Sequence, residues 1–256
     1  MVRNLHSCRF VLRMTRIGLF FCLAGATATA NAYSLKETDS GAQVRWHRDQ
    51  VTLQVVRVDP GTLSSAQVVR FFERAADRWS AVPGAPRIEV TSGEATSEWG
   101  YDGVNGVYVL AEWPFPDQRL GVTISTYSSV TGALIDTDVL LNGSMDLGAV
   151  GEGSATARSF DLDTLVTHEV GHVLGLDESE RHEATMWPSH RRGEMERREL
   201  SPDDVDAVIA LYAAESTAGA TAGALGCSVR PSGARTTLPA ASLALAFALM
   251  LRRRAR

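Results

Sequence analysis

The segment His168-Glu169-Val170-Gly171-His172-Val173-Leu174-Gly175 constrains this chain more than any other. Residues four apart share one face of an α-helix, so both imidazoles can reach a single metal ion. Glu169 is rotated off that face, toward the side where water would meet the metal. This donor set suits zinc with a carboxylate general base for hydrolysis. Two imidazoles alone make a weak site, because catalytic zinc usually takes three protein ligands and keeps one open position. Gly175 can adopt the left-handed conformation that ends a helix and turns the chain back. The following residues then pass under the helix, and Glu178 comes within reach as a third ligand. A carboxylate there adds negative charge, making the metal a weaker Lewis acid than three imidazoles would. His182 is an alternative third ligand if the loop is shaped differently. Glu194 and Glu196 are later carboxylate alternatives.

Both ends of the chain read as processing segments. Arg3, Arg9, Arg13 and Arg16 precede the apolar run Ile17–Ala24, and Ala30-Asn31-Ala32 is a small-x-small cleavage signal. Residues 1–32 are therefore expected to be a secretory signal peptide. At the other end, Gly226-Cys227-Ser228 precedes the apolar stretch Leu238–Leu251 and the basic stop Arg252-Arg253-Arg254. The stretch is short for a full membrane span, and the basic stop fits retention at the inner face. Residues 227–256 resemble the tripartite sorting tails of surface-anchored bacterial proteins, most closely the cysteine-containing myxobacterial type. Cys227 would then be cleaved and transferred to an anchor. An ordinary C-terminal membrane anchor is the competing reading.

Removing both tails lowers the 25 basic residues to 15 and leaves all 30 acidic ones, a net charge of −15 for residues 33–226. That balance argues against nucleic acid, whose binding rests on phosphate neutralisation. It fits extracellular solubility or calcium binding. The three cysteines, Cys8, Cys22 and Cys227, all lie in the tails, so the exported domain has no disulfide and depends on its core. Its length suits one domain, and a monomer is expected.

Val51–Val56 is a β-rich run followed by the turn Asp59-Pro60-Gly61. Ser64 or Ser65 caps a helix to about Val82, with Val68, Phe72, Ala75, Ala76 and Trp79 as one buried stripe. Strands are expected at Arg87–Val90, Gly106–Glu112, Gly121–Tyr127 and Leu134–Leu141. A second helix starts near Asp161 and carries the histidine motif. A third begins at Ser201-Pro202-Asp203-Asp204, where serine, proline and aspartate form a capping pattern. Ala213–Gly226 reads as a linker.

The spacing from His168 through Gly175 to residue 178, followed by Ala184-Thr185-Met186-Trp187-Pro188, resembles the metzincin zinc proteases. Within that clan the likeness is closest to the matrixins (M10-type), over roughly Val44–Tyr212, and Leu200-Ser201-Pro202-Asp203-Asp204-Val205 looks like the start of the matrixin last helix. The resemblance implies an α+β fold: a twisted, mostly parallel five-stranded sheet, three main helices and a methionine turn. It implies His168, His172 and, by position, Glu178 as zinc ligands, with Glu169 as general base. Gly175 would be the turn, Met186 the floor under the metal, and Pro188 and His190 part of the pocket wall. The Gly121–Tyr127 strand would pair with a polypeptide substrate.

Three departures stand out. Glu178 replaces a histidine. No cysteine precedes the domain, so cysteine-based latency is not expected. No histidine lies between His47 and His168, so a second, structural zinc site is not expected. Asp136 and Asp138 are candidate calcium ligands, or else solvent-facing carboxylates on an alternating strand. The leading reading is an exported, surface-anchored zinc endopeptidase. The alternative is a surface-displayed binding or adhesion module with a degenerate metal site.

Overall fold

The computed structural model describes residues 32–61, 63–93, 98–151 and 157–221, the last nine by backbone alone. The expected signal segment through Asn31 and the expected tail at 227–256 lie outside the described residues.

The five expected strands form one sheet: β1 (Gln50–Val58), β2 (Arg87–Ser92), β3 (Asn105–Leu110), β4 (Gly121–Tyr127) and β5 (Leu134–Asn142). Their order is β2-β1-β3-β5-β4. All pairings are parallel except β4 with β5, which is antiparallel. Strand β4 therefore lies at one edge.

The buried face follows from side-chain alternation. Val51, Leu53 and Val55 of β1 join Val107, Val109, Val139 and Leu141 in the main core. A register shift between Val55 and Arg57 breaks the alternation. Val56, on the opposite face from Val55, joins Tyr108, Leu110 and Leu140 in a second apolar cluster, with Trp99, Trp113 and Phe115 packed against it. A sheet apolar on both faces suits a mostly parallel arrangement.

Helix α1 (Ser65–Ser80) is closed at its start by a reciprocal capping box between Ser64 and Gln67. Its stripe gains Phe71 beside the expected residues. Helix α2 (Leu162–Val173) packs against it: the Trp79 indole N–H donates to the Thr167 carbonyl at 2.8 Å. The Arg78 guanidinium meets the buried Asp163 carboxylate at 2.7 Å. Every residue of α2 is buried except His172, which is half-buried.

Helix α3 runs Pro202–Thr221, with the Ser201–Asp204 hydrogen bonds expected of its cap. It continues beyond Tyr212 into the segment read as a linker. Ala213, Ala214 and Glu215 are strong helix formers, but the alanine, glycine, serine and threonine composition of the segment also suits a linker. Two further short strands, β6 (Leu147–Gly148) and β7 (Phe160–Asp161), pair in parallel just before α2. Two residues each give no periodic signal in the sequence.

Candidate metal centre

Helix α2 is fixed at both ends. Its N-cap, Asp161, accepts from the Thr164 N–H at 2.9 Å and the Thr164 hydroxyl at 2.8 Å. The same buried carboxylate accepts from the Val150 N–H and from two nitrogens of Arg198, at 2.8 and 2.6 Å. Burial alone would raise the Asp161 pKa, but Arg198 and Thr164 hold it below the ordinary aspartate value.

At the C-terminus, Gly175 has φ +97°. The Leu176 N–H returns to the Gly171 carbonyl at 3.2 Å and the Gly175 N–H to His172 at 3.0 Å, a Schellman motif. A Cβ at Gly175 would stand 2.1 Å from the Val44 carbonyl oxygen. The last carbonyls of the helix are also satisfied: Val173 accepts from the Trp46 indole and Leu174 from the Tyr212 hydroxyl.

The turn at Gly175 delivers Glu178 to the histidines. Ligand atoms of His168, His172 and Glu178 all lie within 4.8 Å of one another. Among the described residues this is the one group of three or more His, Cys, Asp or Glu so placed. The Glu178 carboxylate stands 3.7 Å from His168 Nε2 and 3.6 Å from His172 Nε2. The loop that bears it is held on both sides. Ser179 N–H donates to the Met186 carbonyl, and Asp177 N–H to the Ser34 carbonyl.

These donors fit a zinc ion. Both Nδ1 atoms face backbone carbonyls, Thr185 O at 2.8 Å for His168 and Leu176 O at 3.0 Å for His172. That fixes the tautomer with the proton on Nδ1 and turns each Nε2 lone pair toward Glu178. Glu178 Oε2 is buried with no hydrogen-bond partner, a cost that a cation would remove. Burial, then the neighbouring His172 and His190, drive the His168 pKa well below its ordinary value. Burial also pulls on His172, but Glu178, Glu169 and the Leu176 carbonyl outweigh it and raise its pKa. Glu169 is buried beside the pair, and burial raises its pKa.

The residues expected around the metal are sorted by the structure. Met186 is buried at a turn closed by Trp187 N–H to the Ala184 carbonyl. A Cβ at Gly171 would stand 2.3 Å from Met186 Sδ, so the glycine in the middle of α2 admits the methionine. Pro188 and His190 line a cleft of about 650 Å³ together with His168, Glu169, His172 and Glu178. The His190 ring meets His168 edge to face, with centroids 5.0 Å apart. Burial and then Arg197 lower the His190 pKa to about 4, so the ring is neutral near pH 7.

His182 is not brought to this group; it is exposed against the Trp187 ring. Glu194 pairs with Arg197 at 2.8 Å, and Glu196 sits on a surface 3₁₀ turn at Glu196–Arg198. Asp136 and Asp138 are both buried, which corrects the solvent-facing reading. Their oxygens accept backbone N–H groups of Gly100, Asp102, Gly103 and Gly106, so the pair clamps the loop before β3.

Other supporting residues were not singled out from the sequence. Asp204, read only as a cap residue, also accepts the N–H groups of Thr185 and Met186, at 2.9 and 3.0 Å. Arg197, almost fully buried, binds the carbonyls of His182 and Ser189 and so braces the wall segment. A lone arginine in a charged run gives no sign of such a place.

A mixed sheet with an antiparallel edge, and a buried helix presenting two histidines to a returning carboxylate, define an α+β metzincin-like fold. The family model Peptidase_M10, described as Matrixin, matches residues 45–213. The chain belongs to the matrixin family. It is 30% identical to Metalloendoproteinase 1-MMP of Arabidopsis thaliana over 181 residues, covering 66% of this chain and 44% of that protein. It is 31% identical to Metalloendoproteinase 2-MMP of the same plant over 173 residues, covering 66% and 43%. Neutrophil collagenase of Homo sapiens is 26% identical over 183 residues, covering 67% and 34%. The chain thus spans less than half the length of these relatives.

Proposed function

We propose that this chain is a zinc endopeptidase, exported and held at a bacterial cell surface. The observation that supports it most is the convergence of His168, His172 and Glu178 within 4.8 Å, beside the buried Glu169. Those three side chains would hold the ion, and Met186 would floor the site. Zinc held there would supply Lewis-acid polarisation of the scissile carbonyl and of the attacking water.

The chain's own residues do the rest. The outer edge of β4 offers unpaired backbone groups to an extended polypeptide, which adds as a further strand. Pro188 and His190 line the same cleft and would bound the substrate pocket there. Glu169 takes the proton of the attacking water and passes it to the leaving amine. Its burial raises its proton affinity toward the range where a general base works best near neutral pH. The matrixin relationship supports the reaction class. An adhesion module would leave the buried Glu169 without a task.

Export rests on the N-terminal signal pattern, and surface attachment on the tail around Cys227. No helix among the described residues is long and apolar enough to cross a membrane. We read the protein as a monomer acting on polypeptides and not on nucleic acid. A calcium ion at this pair would draw on Asp136 Oδ1, which is buried with no hydrogen-bond partner, while Asp136 Oδ2 and both Asp138 oxygens already accept backbone amides. Chelation tests the reading directly. Dialysis against a chelator should abolish hydrolysis of a casein-type substrate, and stoichiometric zinc should restore it. Full activity in verified metal-free protein would overturn it.

A further inference from the structure

Strand β4 does more than offer an edge. Thr123 Oγ1 lies 2.7 Å from Glu169 Oε2 and 3.3 Å from the Glu169 carbonyl oxygen. A carboxylate only accepts, so the threonine hydroxyl is the donor. The other carboxylate oxygen faces Gly121. A Cβ there would stand 2.5 Å from Glu169 Oε1 and 3.0 Å from its Cδ. The Gly121 backbone does not lie in the left-handed region, so what glycine supplies here is room. Residues 121 and 123 are two apart on a strand and share one face. That face is turned to α2: Thr123 holds one oxygen of the Glu169 carboxylate, and the bare Cα of Gly121 leaves room for the other.

We infer that Thr123 is a positioning residue for the reaction. Its hydroxyl fixes Glu169 Oε2, while the missing side chain at Gly121 leaves Oε1 free to meet the reacting water. The inference rests on the proposed role of Glu169 as base. A charge-assisted bond of this length restricts rotation about the end of a glutamate side chain, which is otherwise soft. A base held in register needs no reorganisation when the proton moves. Because the same strand would pair with substrate, base and peptide share one rigid reference. Nothing in the His-Glu motif pointed to this residue, since strand periodicity marks residue 123 only as facing the same side as residue 121.

The test compares Thr123→Val, which keeps the shape and removes the donor, with Thr123→Ser, which keeps the donor. Both are made in the full chain, with wild type and Glu169→Ala alongside. Loss of one hydrogen bond to a charged group predicts a fall in kcat of about tenfold or more for the valine variant. KM, bound zinc and Tm should stay at wild-type values, and serine should restore most of the rate. Wild-type kcat in the valine variant would overturn the inference. So would a loss that serine does not restore, or a rise in KM alone. If wild type itself proves inactive, the peptidase reading fails, and crystals of the valine variant still decide this one. Glu169 should then leave the position it holds against Thr123; an unmoved carboxylate would contradict the inference.

Discussion

Glu178 is the residue on which the chemistry turns. As the proposed third ligand, its carboxylate would make the centre less electron-withdrawing than three imidazoles would. It also faces two histidines whose protonation is pulled in opposite directions, His168 down and His172 up. Glu178→Ala should lower zinc affinity by more than the roughly 10–100-fold typical of losing an outer partner. Competition titration with a chromophoric chelator measures this, and undiminished affinity would exclude Glu178 as a ligand. Glu178→His should bind zinc and shift the activity profile to lower pH. At this scale the sequence was informative where chemistry fixes spacing: His168, Glu169, His172 and Gly175 were legible from the helix period and one turn. The choice among Glu178, His182, Glu194 and Glu196 was not, because it depends on how the chain returns after Gly175. The loop's bonds to Met186 and Ser34 set that return.

At the scale of elements, helix α2 was found through its motif and not through its pattern. It is buried all round, so it lacks the polar face that marks a surface helix. Helix α1, with its single stripe and capping box, was legible in full. Asp161 connects α2 to the rest of the molecule through Arg198, and its role can be separated by pH. Its native pKa lies below the ordinary value of 3.8. The unfolded chain therefore binds its proton first, and the contribution is complete above about pH 4 and lost as pH falls through the lowered native value. Asp161→Asn should destabilise the protein by about 2–4 kcal/mol at pH 7, from the weakened cap and the loss of the buried ion pair with Arg198. The gap from wild type should shrink below pH 4. Urea unfolding at pH 7, 4 and 3 checks this, and a gap that does not change with pH would contradict it.

Across the whole molecule, the strands were legible within a few residues because each is a short β-branched run between glycine, proline or serine clusters. Their order was not. Placing β4 at the edge required the sheet itself, and so did the contact between Thr123 and Glu169, 46 residues apart in sequence. The helix that continues past Tyr212 escaped because an alanine-rich segment reads equally as linker and as helix. The tails carry the cellular side of the proposal. Cys227→Ala should leave the tail uncleaved and move the protein from the cell-surface fraction to the inner-membrane fraction, while leaving specific activity unchanged. Fractionation with an antibody to the domain reads this out, and unaltered surface retention would favour a plain membrane anchor.

Glu169 is the proposed proton carrier of a zinc-dependent hydrolysis. The most direct measurement is kcat/KM of purified Glu169→Ala on a casein-type substrate, with zinc content and Tm determined on the same sample. Bound zinc and wild-type stability are expected, with hydrolysis lowered by at least about 10²-fold, the lower range for general base catalysis. Undiminished cleavage by that zinc-loaded variant would contradict it.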